Sequence, residues 1–405
     1  MRRIFVGDLQ IKEEERNAVN EVLDSQRISE HKKVKEFEEK FAEYIGTKYC
    51  TSFNSGTSAM IAGLESLKYH PDLKIKEKSK IITTPLTYIA TVNSVMKANF
   101  NPVFVDVHKE TFDIKADEIK KLLEEEKNPE EYSLILPVHL MGYPADMDKI
   151  NKIAKEFNLH VFEDSAQAHG TLYNGKKTGS MSLMSDFSFY IAHNIQAGEF
   201  GALVTNDKQI SILTKKIKAN GRLCSCDVCT RGEGKCPHQN NNSDIDYDPR
   251  FIHDIIGYNF KTMEFQAALA LTQLKKADYI FKKRQQNVKY LNENLKEFEE
   301  KGILKLPKFS TDVSYLAYPI VIQDPFKISR KNLRKRLELK GVETRPLFYS
   351  IPTQQPAYSF LKQRYLNKLP NADYLGLNAF YIGCHQYLEK EDLDYVIKIF
   401  NEILK

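Results

Sequence analysis

Four stretches of the sequence carry residue types that do chemistry. Asn54-Ser-Gly-Thr-Ser-Ala59 places small hydroxyl residues and a glycine between a short apolar stretch and the helical segment that starts at Met60. Backbone N–H groups and hydroxyls at a helix N-terminus make a cradle for a phosphate; the same residues equally suit a plain N-cap. Glu163-Asp164 closes the apolar run His160-Val-Phe162. A carboxylate at the end of such a strand either acts on a ligand or caps the helix that follows. Asp186-Phe-Ser-Phe-Tyr-Ile-Ala-His193 has strand character and runs into the polar, glycine-bearing loop Asn194-Ile-Gln-Ala-Gly-Glu-Phe-Gly201. A lone histidine there is either a proton-transfer group or a structural hydrogen-bonding one. Cys224, Cys226, Cys229 and Cys236 lie close together. Clustered thiols in a reducing compartment point to a metal rather than to disulfides. Cys50 and Cys384 are isolated and read as buried thiols.

The elements that must position these groups are legible in the hydrophobic pattern. Short apolar runs recur at Ile81-Ile82, Pro102–Asp106, Leu134–Val138, His160–Asp164 and Ala202–Thr205, with helical spacing between them, as from Met147 to Phe157. Strand-like runs alternating with helices predict an α/β fold with a mainly parallel central sheet. Ligands in such sheets bind beyond the C-terminal ends of the strands. Residues 263 to about 300 read as long helix. Tyr318–Ile322 reads as a strand, a basic helix follows at 329–340, and a last helix starts at Glu389. We expect a large domain over 1–274, with an N-terminal arm and a Cys-rich insertion near 220–250, and a smaller C-terminal α+β domain over 275–405.

The chain has 405 residues, 42% hydrophobic and 28% charged, and its 59 Lys and Arg against 54 acids give a net charge of +5. That excess is too diffuse for a nucleic-acid partner but suits an anionic substrate such as a nucleotide sugar. Acidic residues arrive at Glu13 with no apolar core before them, and no run of about 18 apolar residues occurs. The expectation is a soluble cytoplasmic protein with no signal peptide and no membrane partner.

In this order the motifs resemble the DegT/DnrJ-type sugar aminotransferases, which have the fold-type I architecture of pyridoxal-phosphate (PLP) enzymes. The resemblance runs from Ile11 to about Phe400. It implies a phosphate-binding turn at Gly56, Thr57 and Ser58 and a ring-stacking aromatic at Tyr88 in Thr84-Pro-Leu-Thr-Tyr-Ile-Ala-Thr91. Phe162-Glu-Asp-Ser-Ala-Gln-Ala-His-Gly170 is the most specific match. There the resemblance pairs Asp164 with the pyridinium nitrogen and brings Gln167 to the ring hydroxyl. It gives Ser188 to the phosphate, and in Gly257-Tyr-Asn-Phe-Lys261 it has Asn259 reach the cofactor of a second subunit, which implies a homodimer. Chemically the set is coherent: an anionic Asp keeps the ring nitrogen protonated, and a protonated ring is an electron sink.

One departure matters. Where the family has its Schiff-base lysine this sequence has His193, flanked by Ile191, Ala192 and Asn194. Imidazole cannot anchor PLP covalently, so the resemblance implies noncovalent cofactor, held as pyridoxamine phosphate (PMP). An imidazole can still move a proton near neutral pH. This resembles the 3-dehydrase branch, which removes the C3 hydroxyl of a nucleotide-linked 4-keto-6-deoxyhexose. Asn378-Ala-Phe-Tyr-Ile-Gly383 also looks like that branch. Asn220-Gly-Arg-Leu-Cys-Ser-Cys226 resembles dehydrases that carry an iron–sulfur cluster fed by a reductase, although Ser165-Ala166-Gln167 lacks the cysteine those enzymes carry there. Zinc is the alternative at the cysteines, and glutamate is the alternative to the reductase for regenerating PMP. Two rival functions are an aminotransferase that has lost its lysine and a noncatalytic sensor. Arg345 is a candidate for a diphosphate or carboxylate contact and equally for a surface ion pair.

Overall fold

The structure is a computed structural model that describes residues 2–73, 75–224, 226, 233, 235, 236, 248 and 250–405. In chain order its first strands are β1 (Tyr49–Phe53), β2 (Lys80–Thr83), β3 (Asn101–Phe104), β4 (Tyr132–Leu136) and β5 (His160–Asp164). A short hairpin follows, β6 (Leu172–Tyr173) with β7 (Lys176–Lys177), and then β8 (Met184–Ser188) and β9 (Gly201–Thr205). Seven of these form one sheet in the order β1-β9-β8-β5-β4-β2-β3, and only β9 runs against the rest. The sheet is mainly parallel, as the alternation of apolar runs and helices requires. Parallel strands need crossovers that cover both faces, which is why their apolar runs are nearly continuous. The helix Gly56–Tyr69 covers one face. Phe37 and Phe41, from the helix Lys32–Ile45, pack with Phe187, Phe189 and Phe200 on the other.

The helical run expected from 263 to about 300 is two helices, Glu264–Leu274 and Ala277–Glu300. Between them the backbone tightens to the three-residue bond from Lys276 N–H to Gln273 C=O, 2.9 Å. A second, wholly antiparallel sheet follows: β10 (Leu304–Lys305), β11 (Tyr318–Ile322), β12 (Arg345–Pro346) and β13 (Ala379–Ile382), in the order β10-β11-β13-β12. The helices Arg330–Leu339 and Lys390–Leu404 lie where the sequence pattern has them. The Ser329 hydroxyl caps the first by accepting from Asn332 N–H. The N-terminal residues join this C-terminal part: Ile4 bridges Val342, and Ile4 and Val6 are both buried. Among the described residues, no helix is long and apolar enough to cross a membrane.

Candidate active site

A cavity of about 800 Å³ opens beyond the C-terminal ends of β1, β2, β5 and β8. Sheet register builds its floor. Phe53 and Ser188 flank Gly201 in one row, and Asp164 faces Asp186 two rows away. Strand alternation then sorts the side chains. Asp186 and Ser188 line the cavity, while Phe187 between them enters the aromatic core on the opposite face.

The same alternation separates the two carboxylates of Glu163-Asp164. Glu163 is fully buried away from the cavity, where it accepts from Gly179 N–H (2.8 Å), Met181 N–H (3.0 Å) and Ser182 Oγ (2.8 Å). His139 Nε2 lies 3.0 Å from it. Its role is to hold the loop before β8. Asp164 lines the cavity; its Oδ2 accepts from Thr91 Oγ1 at 2.8 Å and its Oδ1 from Ala166 N–H at 3.2 Å. No Lys or Arg pairs with it among the described residues, and burial pushes its pKa up. A buried carboxylate in that state suits a ligand that brings a positive charge.

The helix Gly56–Tyr69 begins at the cavity wall. Ser55 is its N-cap and accepts from Ser58 N–H at 3.1 Å. The first-turn N–H groups of Gly56 and Thr57 remain available to an anion. Gly56 is a close-approach position, because a Cβ there would stand 2.7 Å from Ser188 Cβ. Gly56, Thr57 and Ser188 therefore come together as the sequence suggests. Ser58 does not join them: its hydroxyl turns back to Asn54 Oδ1 at 2.6 Å, and Ser55 lines the cavity instead. Thus Ser55 and Ser58 satisfy the N-cap reading, while Gly56 and Thr57 line the cavity at the start of the helix.

His193 lies in the loop after β8. Its Nδ1 is 2.7 Å from the Ser188 carbonyl, which fixes Nδ1 as the N–H donor and leaves the Nε2 lone pair uncommitted. Surrounding protein, with Arg284 and Arg345 adding to the effect, pushes its pKa down to about 4, so the imidazole is neutral at pH 7. Gln167 accepts from Met141 N–H at 3.0 Å, which leaves its amide NH2 as the donor for a ligand. Tyr88 is 58% exposed and stands at the cavity rim, its ring 5.8 Å from that of Phe348. Arg345 lines the cavity and also pairs with Glu343 at 3.1 Å. The two readings of that arginine are compatible.

Asn259 is outside this cavity, in a segment bridged to Ala219. Of the cysteines, Cys224 and Cys226 line a separate cavity of about 130 Å³ beside Lys218 and Arg222. Cys229 lies outside the described residues. Among the described residues no group of three or more His, Cys, Asp or Glu is arranged to hold a metal ion. Cys50 and Cys384 are buried thiols as expected, and burial pushes the Cys384 pKa up to about 11. Sequence reasoning missed Asp186, Thr91, Glu199 and Tyr381, all of which line the main cavity. Asp186 was within reach, since it stands two residues before Ser188 and period 2 puts both on one face.

The chain is 32% identical to GDP-perosamine synthase of Escherichia coli O157:H7, with 99% of each chain covered. It is 27% identical to GDP-4-keto-6-deoxy-D-mannose 3-dehydratase of Yersinia pseudotuberculosis, covering 97% of this chain and 96% of that one. The solved structure of the E. coli GDP-4-keto-6-deoxy-D-mannose-3-dehydratase with bound hydrated PLP superposes with a TM-score of 0.86 at 26% identity, covering 100% of both chains. The architecture is that of the fold-type I PLP enzymes. The DegT/DnrJ/EryC1/StrS aminotransferase family matches residues 9–401, and the chain belongs to that family.

Proposed function

We propose that the protein is a PMP-dependent 3-dehydratase that removes the C3 hydroxyl of a nucleotide-linked 4-keto-6-deoxyhexose, with His193 as its proton-transfer group. The observation that carries the reading is His193 itself. It occupies the cavity with a neutral imidazole and an uncommitted Nε2, and among the described residues no lysine lines the cavity. Covalent anchoring of an aldehyde cofactor needs a primary amine, which this cavity lacks; proton transfer needs only a lone pair, which it has.

The residues present fit the cofactor. The Gly56 and Thr57 N–H groups with Ser188 would take its phosphate, Asp164 its ring N–H, Gln167 its ring hydroxyl, and Tyr88 one face of the ring. Bound there, the cofactor would supply an electron sink for the reacting sugar. Asp164 holds the ring nitrogen protonated and so maintains that sink. His193 Nε2 takes and returns a proton, while the Ser188 carbonyl fixes the ring's tautomer through Nδ1–H. A second copy of the chain would complete the phosphate site with Asn259. For the return of the cofactor to its amine form we favour an amino donor such as glutamate over a reductase. The segment after Asp164, Ser165-Ala166-Gln167, carries no thiol.

The test uses purified protein, PMP, glutamate and GDP-linked 4-keto-6-deoxymannose, with the product sugar weighed by mass spectrometry. The expected product has lost one oxygen and gained no amine. His193→Lys should instead transfer an amino group and leave the C3 hydroxyl in place. A wild-type product that keeps every oxygen and gains an amine would overturn the reading in favour of an aminotransferase.

A further inference from the structure

Arg284, on the helix Ala277–Glu300, is fully buried, and among the described residues no carboxylate pairs with it. An enclosed guanidinium without a counter-ion is costly unless its donors are placed. Three contacts place the Nε and Nη1 donors, while Nη2 is buried without a hydrogen-bond partner among the described residues. Nη1 donates to the carbonyls of Tyr315 (3.2 Å) and Leu316 (2.7 Å), and Nε donates to Gln386 Oε1 (3.1 Å). The strap Ser314–Leu316 that it grips is bent, with Tyr315 in the left-handed region at φ +46°.

That strap reaches the site in two directions. Asn194, the residue after His193, donates through Nδ2 to Ser314 C=O (3.0 Å) and Tyr315 C=O (3.3 Å). On the other side Leu316 N–H donates to Met141 C=O at 3.1 Å, and Met141 N–H donates to Gln167 Oε1 at 3.0 Å. The approach is tight, because a Cβ on Gly142 would stand 3.0 Å from Tyr315 N. One buried side chain therefore stands behind both the proton-transfer group and the ring-hydroxyl donor.

We propose that Arg284 is a positioning residue that acts through the Ser314–Leu316 strap to fix the His193 loop and the Gln167 amide over the bound cofactor. The inference rests on the functional reading above for the roles of those two residues. Its charge acts as well. The groups facing His193 are Arg284 from the long helix, Arg345 from β12, His169 from the loop after β5 and Tyr190 from its own loop. Enclosure by protein disfavours the imidazolium most and both arginines add to it, so the strap that sets the position of His193 is held by a charge of the sign that favours the neutral ring.

The test compares wild type with Asn194→Ala, Arg284→Lys and Arg284→Gln in the full chain loaded with PMP. Folding is checked by circular dichroism, and the His193 resonance is assigned by its loss in His193→Asn. Asn194→Ala cuts one arm of the strap. It should lower kcat on the order of 10²-fold while KM for the sugar stays near wild type, as misplacement of a reacting group does. Arg284→Lys should lose kcat similarly but keep the His193 titration by NMR. Arg284→Gln should lose kcat and raise that titration, because a like charge has been removed. Wild-type kcat in folded Asn194→Ala and Arg284→Lys would overturn the proposal, as would an unmoved His193 titration in Arg284→Gln. If the arginine variants do not fold, Asn194→Ala decides alone. Should the wild type fail to deoxygenate the sugar, the functional reading falls, and unchanged His193 ring chemical shifts in folded Asn194→Ala and Arg284→Gln would still overturn this one.

Discussion

The depressed pKa of His193 makes a prediction that needs no substrate. The folded protein holds the imidazole near pKa 4, against an ordinary value of 6.5, through enclosure by protein and then through Arg284 and Arg345. Between those values the unfolded chain binds a proton that the folded chain refuses, so stability falls as pH drops from 6.5 toward 4 and is whole above 6.5. Linkage for a single site gives a loss of about 2 kcal/mol at pH 5 and under about 0.1 kcal/mol at pH 7.5. The perturbation is His193→Asn, whose amide can still donate to the Ser188 carbonyl but cannot titrate. Urea unfolding of both proteins without cofactor, at pH 7.5 and pH 5, isolates the difference. The buried histidines 169 and 385, also with lowered pKa values, are present in both, and only His169 loses a small contribution from His193 in the variant. Wild type should lose about 2 kcal/mol more than the variant over this interval. Parallel losses within about 0.5 kcal/mol would refute the depressed pKa.

Two further outcomes follow from the site's packing. Gly56→Ala puts a Cβ 2.7 Å from Ser188 Cβ and 3.2 Å from its Cα, atoms that cannot swing away. PLP affinity, titrated by absorbance, should fall at least about 10-fold, equivalent to about 1.4 kcal/mol, and unchanged affinity would place the phosphate elsewhere. Glu163→Ala strands the three donors that Glu163 accepts from and leaves His139 without its partner, so urea unfolding should show a loss of about 3 kcal/mol. A loss below about 1 kcal/mol would contradict the structural role given to Glu163.

The sequence made the alternating strands and helices legible because a parallel sheet buried on both faces writes its strands as short apolar runs. It did not show that β9 is reversed, since an apolar run of five residues reads the same in either direction. Glu163-Asp164 was ambiguous as a pair. The pleat decides it, sending one carboxylate into the loop scaffold and the other into the cavity. The resemblance gives Ser58 to a phosphate, and the structure turns its hydroxyl to Asn54, because a helix start needs its own donors and acceptors matched first. Arg284 gave no signal at all. On an amphipathic helix rich in Lys, Gln and Asn, one more cation reads as a solvated face.

The order of the motifs and the identity of His193 are legible in the chain alone, because side-chain chemistry does not depend on the fold. Tertiary structure alone decided which groups meet. Residues 55–57, 88, 164, 167, 188 and 193 converge on one cavity only because the parallel strands end on the same side. The neutrality of His193 is likewise a property of its enclosure beside two arginines from distant elements, Arg284 on the long helix and Arg345 in the second sheet. Proximity and low polarity are created by packing, and no local stretch of sequence contains them.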